Sequence, residues 1–148
     1  MFDLAEKKVL ITGATGGIGE PLAKSFLESG AEIVITGTTE DRLLALQKKI
    51  GNQCMAFRCD LSNNDSVNGL IDFLSELGGV DILVNNAGKT DDGLFLRMKD
   101  EQWEAVMTLN LTSIMRLTKG LLRNMIKKRW GRIINISSVV AMTGNPGQ

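Results

Sequence analysis

The chain has 148 residues, 43% of them hydrophobic, and its 17 basic and 17 acidic side chains leave no net charge. That length supports one hydrophobic core, and the balance excludes the broad basic face that nucleic acid or an anionic membrane would select. Histidine and tyrosine are both missing, so imidazole chemistry, whether in a metal set or a catalytic triad, is ruled out. Two cysteines alone make no zinc site, and no metal is expected. Residues 1–6 carry neither a basic leader nor a long apolar run, and no stretch has the length of a bilayer span. A cytoplasmic protein with reduced, buried cysteines is expected.

In chain order, residues 7–12 read as a first strand and 17–29 as a helix, with Ile18, Leu22, Phe26 and Leu27 at helical spacing and Gly30 as its stop. Pro21 falls in the first turn, where its missing N–H costs little. The β-branched run 32–36 suits a second strand, 41–50 a second helix, 54–58 a third strand, 65–77 a third helix and 81–84 a fourth strand. Cys54 and Cys59 would lie on opposite faces, out of reach of each other. Residues 93–98 read as a loop or short helical turn. Residues 101–129 read as one long helix, interrupted near Asn110, whose apolar positions cover more than one stripe; one face would lie on the sheet and the other on a second subunit. A fifth strand follows at 132–136, then Ser137, Ser138 and a turn-rich tail. Alternating strands and helices with short connections predict one α/β domain over 1–148, a Rossmann-like doubly wound parallel sheet of order 3-2-1-4-5, with ligand across the carboxyl ends of strands one and four.

The stretch Thr12-Gly13-Ala14-Thr15-Gly16-Gly17-Ile18-Gly19 sits where the first strand ends and the first helix opens. Gly13 permits the tight turn, Gly17 lets a pyrophosphate approach the backbone, and Gly19 lets the helix press against the strand. Free N–H groups at a positive helix end favour the anion. The strand-loop-helix context makes this a dinucleotide site, with Thr15, Gly16 and Ile18 completing the loop.

With that loop, Asp60-Leu61, Asn85-Asn86-Ala87-Gly88, Asn110 and Ile136-Ser137-Ser138, the chain resembles the classical short-chain dehydrogenase/reductases. Within them it is most similar to 3-oxoacyl-acyl-carrier-protein reductases, through 92–98, 110–113 and the segment 131–140 running into 144–148. The resemblance implies that Asp60 and Leu61 border the adenine, and that Asn86, Ala87 and Gly88 line the cofactor groove. It also implies that Ser138 hydrogen-bonds the substrate carbonyl and that Asn110 interrupts its helix and holds a water of a proton relay. Asp60 as a helix-terminal acid and Asn110 as a satisfied core amide stand as alternatives.

Family members of this type carry a Tyr-x-x-x-Lys segment beyond the serine, which delivers the proton. These 148 residues do not contain it, so a longer enzyme is expected, with further strands and helices, and the chain alone should not reduce a carbonyl at a useful rate. A noncatalytic nucleotide-binding module is the alternative. NAD-selective members place an acid at the end of the second strand. Here Gly37-Thr38 stand there, Thr38 reading as the N-cap of the second helix with Asp41 as its capping-box partner. NADPH is therefore favoured over NADH, with Thr38, Thr39 or Arg42 taking the 2′-phosphate. Relatives often have an arginine where this chain has Gly16, and an apolar residue where it has Lys89. The basic cluster 127–132 reads either as cations at a helix C-terminus or, by the resemblance, as a docking site for acyl carrier protein bearing a 3-oxoacyl chain, centred on Arg129. A homotetramer agrees with the family habit.

Overall fold

The computed structural model describes residues 3–148. Five strands, β1 (Lys8–Thr12), β2 (Glu32–Gly37), β3 (Cys54–Arg58), β4 (Ile82–Asn85) and β5 (Arg132–Asn135), form one sheet of order β3-β2-β1-β4-β5. Every pairing is parallel; Leu10 lies beside Val34 on one side and Leu83 on the other. The expected strand order is the observed one. Parallel neighbours need crossovers, supplied by α1 (Gly19–Glu28), α2 (Glu40–Ile50), α3 (Asn64–Glu76) and the pair α4 (Asp100–Met107) and α5 (Ser113–Lys128).

The period-two alternation of the strands splits the core into two layers. Val9, Ile11, Ile33 and Ile35 pack with Ala23, Leu43 and Leu46 of α1 and α2. Leu10, Val34 and Leu83 face the other way, onto Val67, Leu70 and Leu74 of α3 and Leu117, Leu121 and Met125 of α5. Each Val, Leu, Ile or Met side chain among them contributes about 1.5–3 kcal/mol of apolar transfer when fully buried. Cys54 and Cys59 belong to opposite layers, buried and unpaired; burial pushes the Cys54 thiol up to about 11.

Local boundaries move for physical reasons. α1 opens at Gly19 rather than Gly17, because residues 13–18 are spent on the turn. α2 opens at Glu40 with Thr39, not Thr38, as N-cap: Leu43 N–H bonds the Thr39 carbonyl, and the Thr39 side chain caps nothing. α3 is capped by Asn63, whose side chain accepts the Ser66 N–H at 3.0 Å. The long helical stretch is interrupted at Thr108–Thr112 by a π turn between α4 and α5. Residues 93–98 contain a 3-10 turn, Phe95–Arg97, and a short helix α6 (Val140–Thr143), which the sequence reading did not assign, precedes the turns of the tail.

β5 is an edge strand, and its residues are exposed along its whole length. On α5 the buried positions Ser113, Leu117, Leu121 and Met125 recur every four residues, while Met115 and Ile126 on other faces are exposed, as are Leu111 and Trp103 before them. No helix among the described residues is long and apolar enough to cross a membrane.

Candidate functional site

β1 delivers the chain to the carboxyl edge of the sheet, and Gly13 turns it there with φ +61°. A Cβ at Gly13 would lie 2.8 Å from Ala87 Cα, and one at Gly19 would lie 2.5 Å from Ala14 Cα. Both glycines therefore allow backbone to meet backbone. A Cβ at Gly17 would meet nothing within 4 Å, so that backbone faces open space. Gly16 N–H is committed to Gly13 O at 3.1 Å, whereas the N–H groups of Thr15, Gly17, Ile18 and Gly19 have no acceptor among the described residues. Gathered at the positive end of α1, those donors suit an anion.

Thr12, which sequence reading treated only as the start of the loop, is the hub of the site. Its buried hydroxyl donates to Val84 O at 3.2 Å and accepts the N–H groups of Asn86 and Ala87, both at 3.0 Å. Asn86 returns the contact, its Nδ2 donating to Thr12 O at 2.9 Å and Gly13 O at 3.1 Å. The exits of β1 and β4 are thus one unit. Beside it, Asn85 Nδ2 donates to Asn135 Oδ1 at 2.8 Å, its register partner on β5.

Between these exits opens a cleft of about 390 Å³, lined by Gly13, Thr15, Gly16, Gly17, Ile18, Thr36, Gly37, Thr38, Cys59, Leu61, Asn86, Ala87, Gly88 and Leu109. The sequence-predicted Gly19 and Asp60 are not among the lining residues, and Thr36, Gly37, Cys59 and Leu109 are additions. Thr36 and Gly37 were readable as the carboxyl end of β2; Leu109 carries no sequence signal. The residues fit a dinucleotide: an uncapped helix start, open space above Gly17, a methyl at Ala87 and no side chain at Gly88, and a buried Thr36 hydroxyl beside the cleft that has no hydrogen-bond partner among the described residues.

At one end, Asp60 Oδ1 accepts the Ser62 hydroxyl at 2.7 Å and the Ser62 N–H at 2.9 Å. Those bonds hold its carboxyl below the usual range, with the Arg58 charge a smaller contribution. Asp60 therefore shapes a turn and is not the cap of α3. Burial pushes the Cys59 thiol up, despite a bond from Ser66.

At the other end, Asn110 stands in the π turn and grips Lys89 by both backbone groups: Oδ1 accepts Lys89 N–H at 3.0 Å and Nδ2 donates to Lys89 O at 2.7 Å. Its amide is spent on this segment. Ser138, beyond β5, is exposed, and its hydroxyl accepts the Val140 N–H at 3.3 Å. Arg129 lies at the opposite end of β5, exposed in a left-handed conformation after α5. Within its cluster Lys128 is bound to Asp81 at 2.8 Å, and Arg132 lies over the Trp130 ring, as does Lys7.

A doubly wound parallel sheet with a glycine turn at its switch point defines a nucleotide-binding α/β protein. A model of the short chain dehydrogenase family matches residues 7–148, and the chain belongs to that family. It is 49% identical to Nodulation protein G of Rhizobium sp. (strain N33) over all of this chain and 61% of that protein. It is 46% identical to the 3-oxoacyl-[acyl-carrier-protein] reductase FabG of Vibrio cholerae over 99% of this chain and 61% of that protein. A crystal structure provisionally assigned as a betaketoacyl-ACP reductase superposes with a TM-score of 0.91 at 30% identity, over 98% of this chain and 59% of the other. The chain spans about three fifths of the length of these relatives.

Proposed function

We propose that the protein carrying this chain is an NADPH-dependent reductase that converts 3-oxoacyl groups on acyl carrier protein to 3-hydroxyacyl groups. The observation that carries the nucleotide part is the Gly13 turn seated on Ala87, which leaves four unpaired N–H groups beside an open cleft. Thr15, Gly17, Ile18 and Gly19 would hold the diphosphate, Asp60 and Leu61 the adenine, Thr38 the ribose edge, and Asn86, Ala87 and Gly88 the nicotinamide side. NADPH supplies the hydride. Ser138 would orient the carbonyl by hydrogen bonding, and Asn110, by fixing Lys89, would hold the cleft rim and place any relay water through the carbonyls that its π turn releases. The acyl-carrier substrate is supported by the similarity to the FabG proteins.

A serine hydroxyl is a poor acid near neutrality, and these 148 residues hold no tyrosine or histidine. Ser138 would therefore orient the carbonyl without protonating it, and this chain by itself is expected to bind cofactor without reducing a carbonyl at a useful rate. The exposed apolar residues of α4 and α5 suit a subunit interface, in keeping with a cytoplasmic homotetramer. The similarity to Nodulation protein G supports a second reading, a reductase of the same kind acting on another alcohol/carbonyl pair. Rates of NADPH oxidation by the intact protein with 3-oxoacyl-acyl carrier protein and with unrelated ketones decide between them: a preference for the ketones overturns the first reading, and failure to bind any nicotinamide dinucleotide overturns both.

A further inference from the structure

Not one of the residues lining the cleft carries a charge, although the dinucleotide proposed for it is negative at both phosphates of its bridge. The start of α1 meets that charge with the partial dipoles of its N–H groups alone, since no basic side chain occurs in the loop from Gly13 to Gly19. Other cations around the loop and the end of β2 are engaged. Arg42 donates to Thr15 O and Arg58 to Thr38 O, both at 3.0 Å, and Lys24 and Lys49 pair with Glu20 at 2.8 and 2.5 Å.

Lys89 is the exception. It follows Gly88, which lines the cleft, and Asn110, which follows the lining residue Leu109, holds its N–H at 3.0 Å and its carbonyl at 2.7 Å. Two bonds to one backbone fix where the side chain starts, while its four-carbon stem stays flexible. That side chain is exposed, and it forms no ion pair among the described residues. The two acids after it are held by other partners: Asp91 accepts Gln102 Nε2 at 2.6 Å and Asp92 accepts Gln148 Nε2 at 3.0 Å. Since the Gly13 turn rests on Ala87, two residues before Lys89, the loop and the lysine flank one cleft from the exits of β1 and β4.

We infer that Lys89 binds the diphosphate: its ammonium closes on the nicotinamide-side phosphate from the β4 exit, opposite the unpaired N–H groups of the glycine turn. This rests on the nucleotide-binding reading above and adds a full charge to a site otherwise built from dipoles. An apolar side chain at this position would leave that phosphate to water. A charge-assisted bond is stronger than a neutral one, and its exposure at the rim keeps the gain moderate and sensitive to salt.

Calorimetric titration of the intact protein with NADPH, NADH, ADP-ribose and adenosine 2′,5′-bisphosphate tests this in the native sequence, Lys89→Met and Lys89→Arg. Methionine keeps an unbranched stem and removes the charge. It should weaken NADPH, NADH and ADP-ribose by one common factor, about three- to tenfold at low salt, because all three carry the diphosphate. The bisphosphate lacks the nicotinamide-side phosphate and should bind as before. Raising the salt should narrow the gap, and Lys89→Arg should behave as the native protein does. A loss confined to NADPH and NADH would place the ammonium at the nicotinamide ring, and an equal loss for all four ligands would assign Lys89 to the structure of the rim. No loss, together with a higher KM for the 3-oxoacyl substrate at saturating NADPH, would give the cation to an anionic group of that substrate. Each of these results overturns the proposal, as does no change in any measurement. A native protein that binds no dinucleotide refutes the nucleotide reading itself.

Discussion

The hydroxyl of Thr12 accepts the backbone N–H of Ala87 at 3.0 Å, and so ties the end of β1 to the residue on which the Gly13 turn rests. The same oxygen takes the Asn86 N–H and donates to Val84 O. Thr12→Val keeps the shape and the β-branching but leaves the part-buried Ala87 N–H without an acceptor and the Asn86 N–H with Val84 O alone. It should destabilise the protein by about 1–3 kcal/mol in urea unfolding and weaken nucleotide binding as well. Unchanged stability would show that water replaces the hydroxyl.

Gly17 and Gly19 should separate binding from folding. A methyl at Gly17 meets nothing within 4 Å among the described residues, so Gly17→Ala should shift stability by no more than about 0.5 kcal/mol while its Cβ obstructs the diphosphate and weakens NADPH. Gly19→Ala would drive a carbon against Ala14 Cα and Gly13 O, backbone that cannot yield cheaply. It should lose about 1–3 kcal/mol by thermal or urea unfolding. Equal stability losses at the two positions would contradict this geometry.

What the sequence shows and hides follows from range. The glycine turn, the strand order and the two core layers rest on local periodicity, which Val9, Leu10 and Ile11 display by alternating between faces. The partners of Asn110, Thr12 and Arg58 are fixed by tertiary register. Lys89 is 21 residues from Asn110, and Ala87 is 75 from Thr12. Neither distance leaves a mark on composition or spacing. The start of α2 was missed for a related reason: Thr38 has capping chemistry, but its carbonyl is drawn to Arg58 and the first helical bond begins at Thr39.

Asn110→Ala should free the Lys89 N–H and carbonyl together, and Asn110→Asp only the carbonyl. Hydrogen exchange reads the difference directly. The Lys89 amide should exchange faster in the alanine variant and remain protected in the aspartate variant. Identical exchange in both would remove Asn110 from its role at the cleft rim.

Asp81 makes part of the stability depend on pH. Burial raises its carboxyl, but the Lys128 ammonium at 2.8 Å and the Lys8 N–H at 2.9 Å outweigh burial and leave it below the ordinary aspartate value. A native pKa lower than the unfolded one stabilises fully above the unfolded value of about 4, and that contribution is lost as pH falls through the native value. Asp81→Asn should therefore be less stable than the native protein near neutrality, and the gap should close in acid. A gap independent of pH would show that packing, not charge, is what the substitution removes.

Arg129 presents a choice between fold and partner. Its φ of +51° is a conformation glycine adopts without cost, and glycine is the usual residue where an α-helix ends this way. Arg129→Gly should accordingly stabilise the protein by about 0.5–1 kcal/mol, visible as a raised Tm. Because β5 separates Arg129 from Ser138, the substitution should leave reduction of a small 3-oxo analogue intact. If the exposed guanidinium docks an acidic carrier, the KM for carrier-linked substrate should rise while kcat holds, and Arg129→Glu should raise it further. A variant that gains stability without any change in that KM would leave the arginine no part in docking.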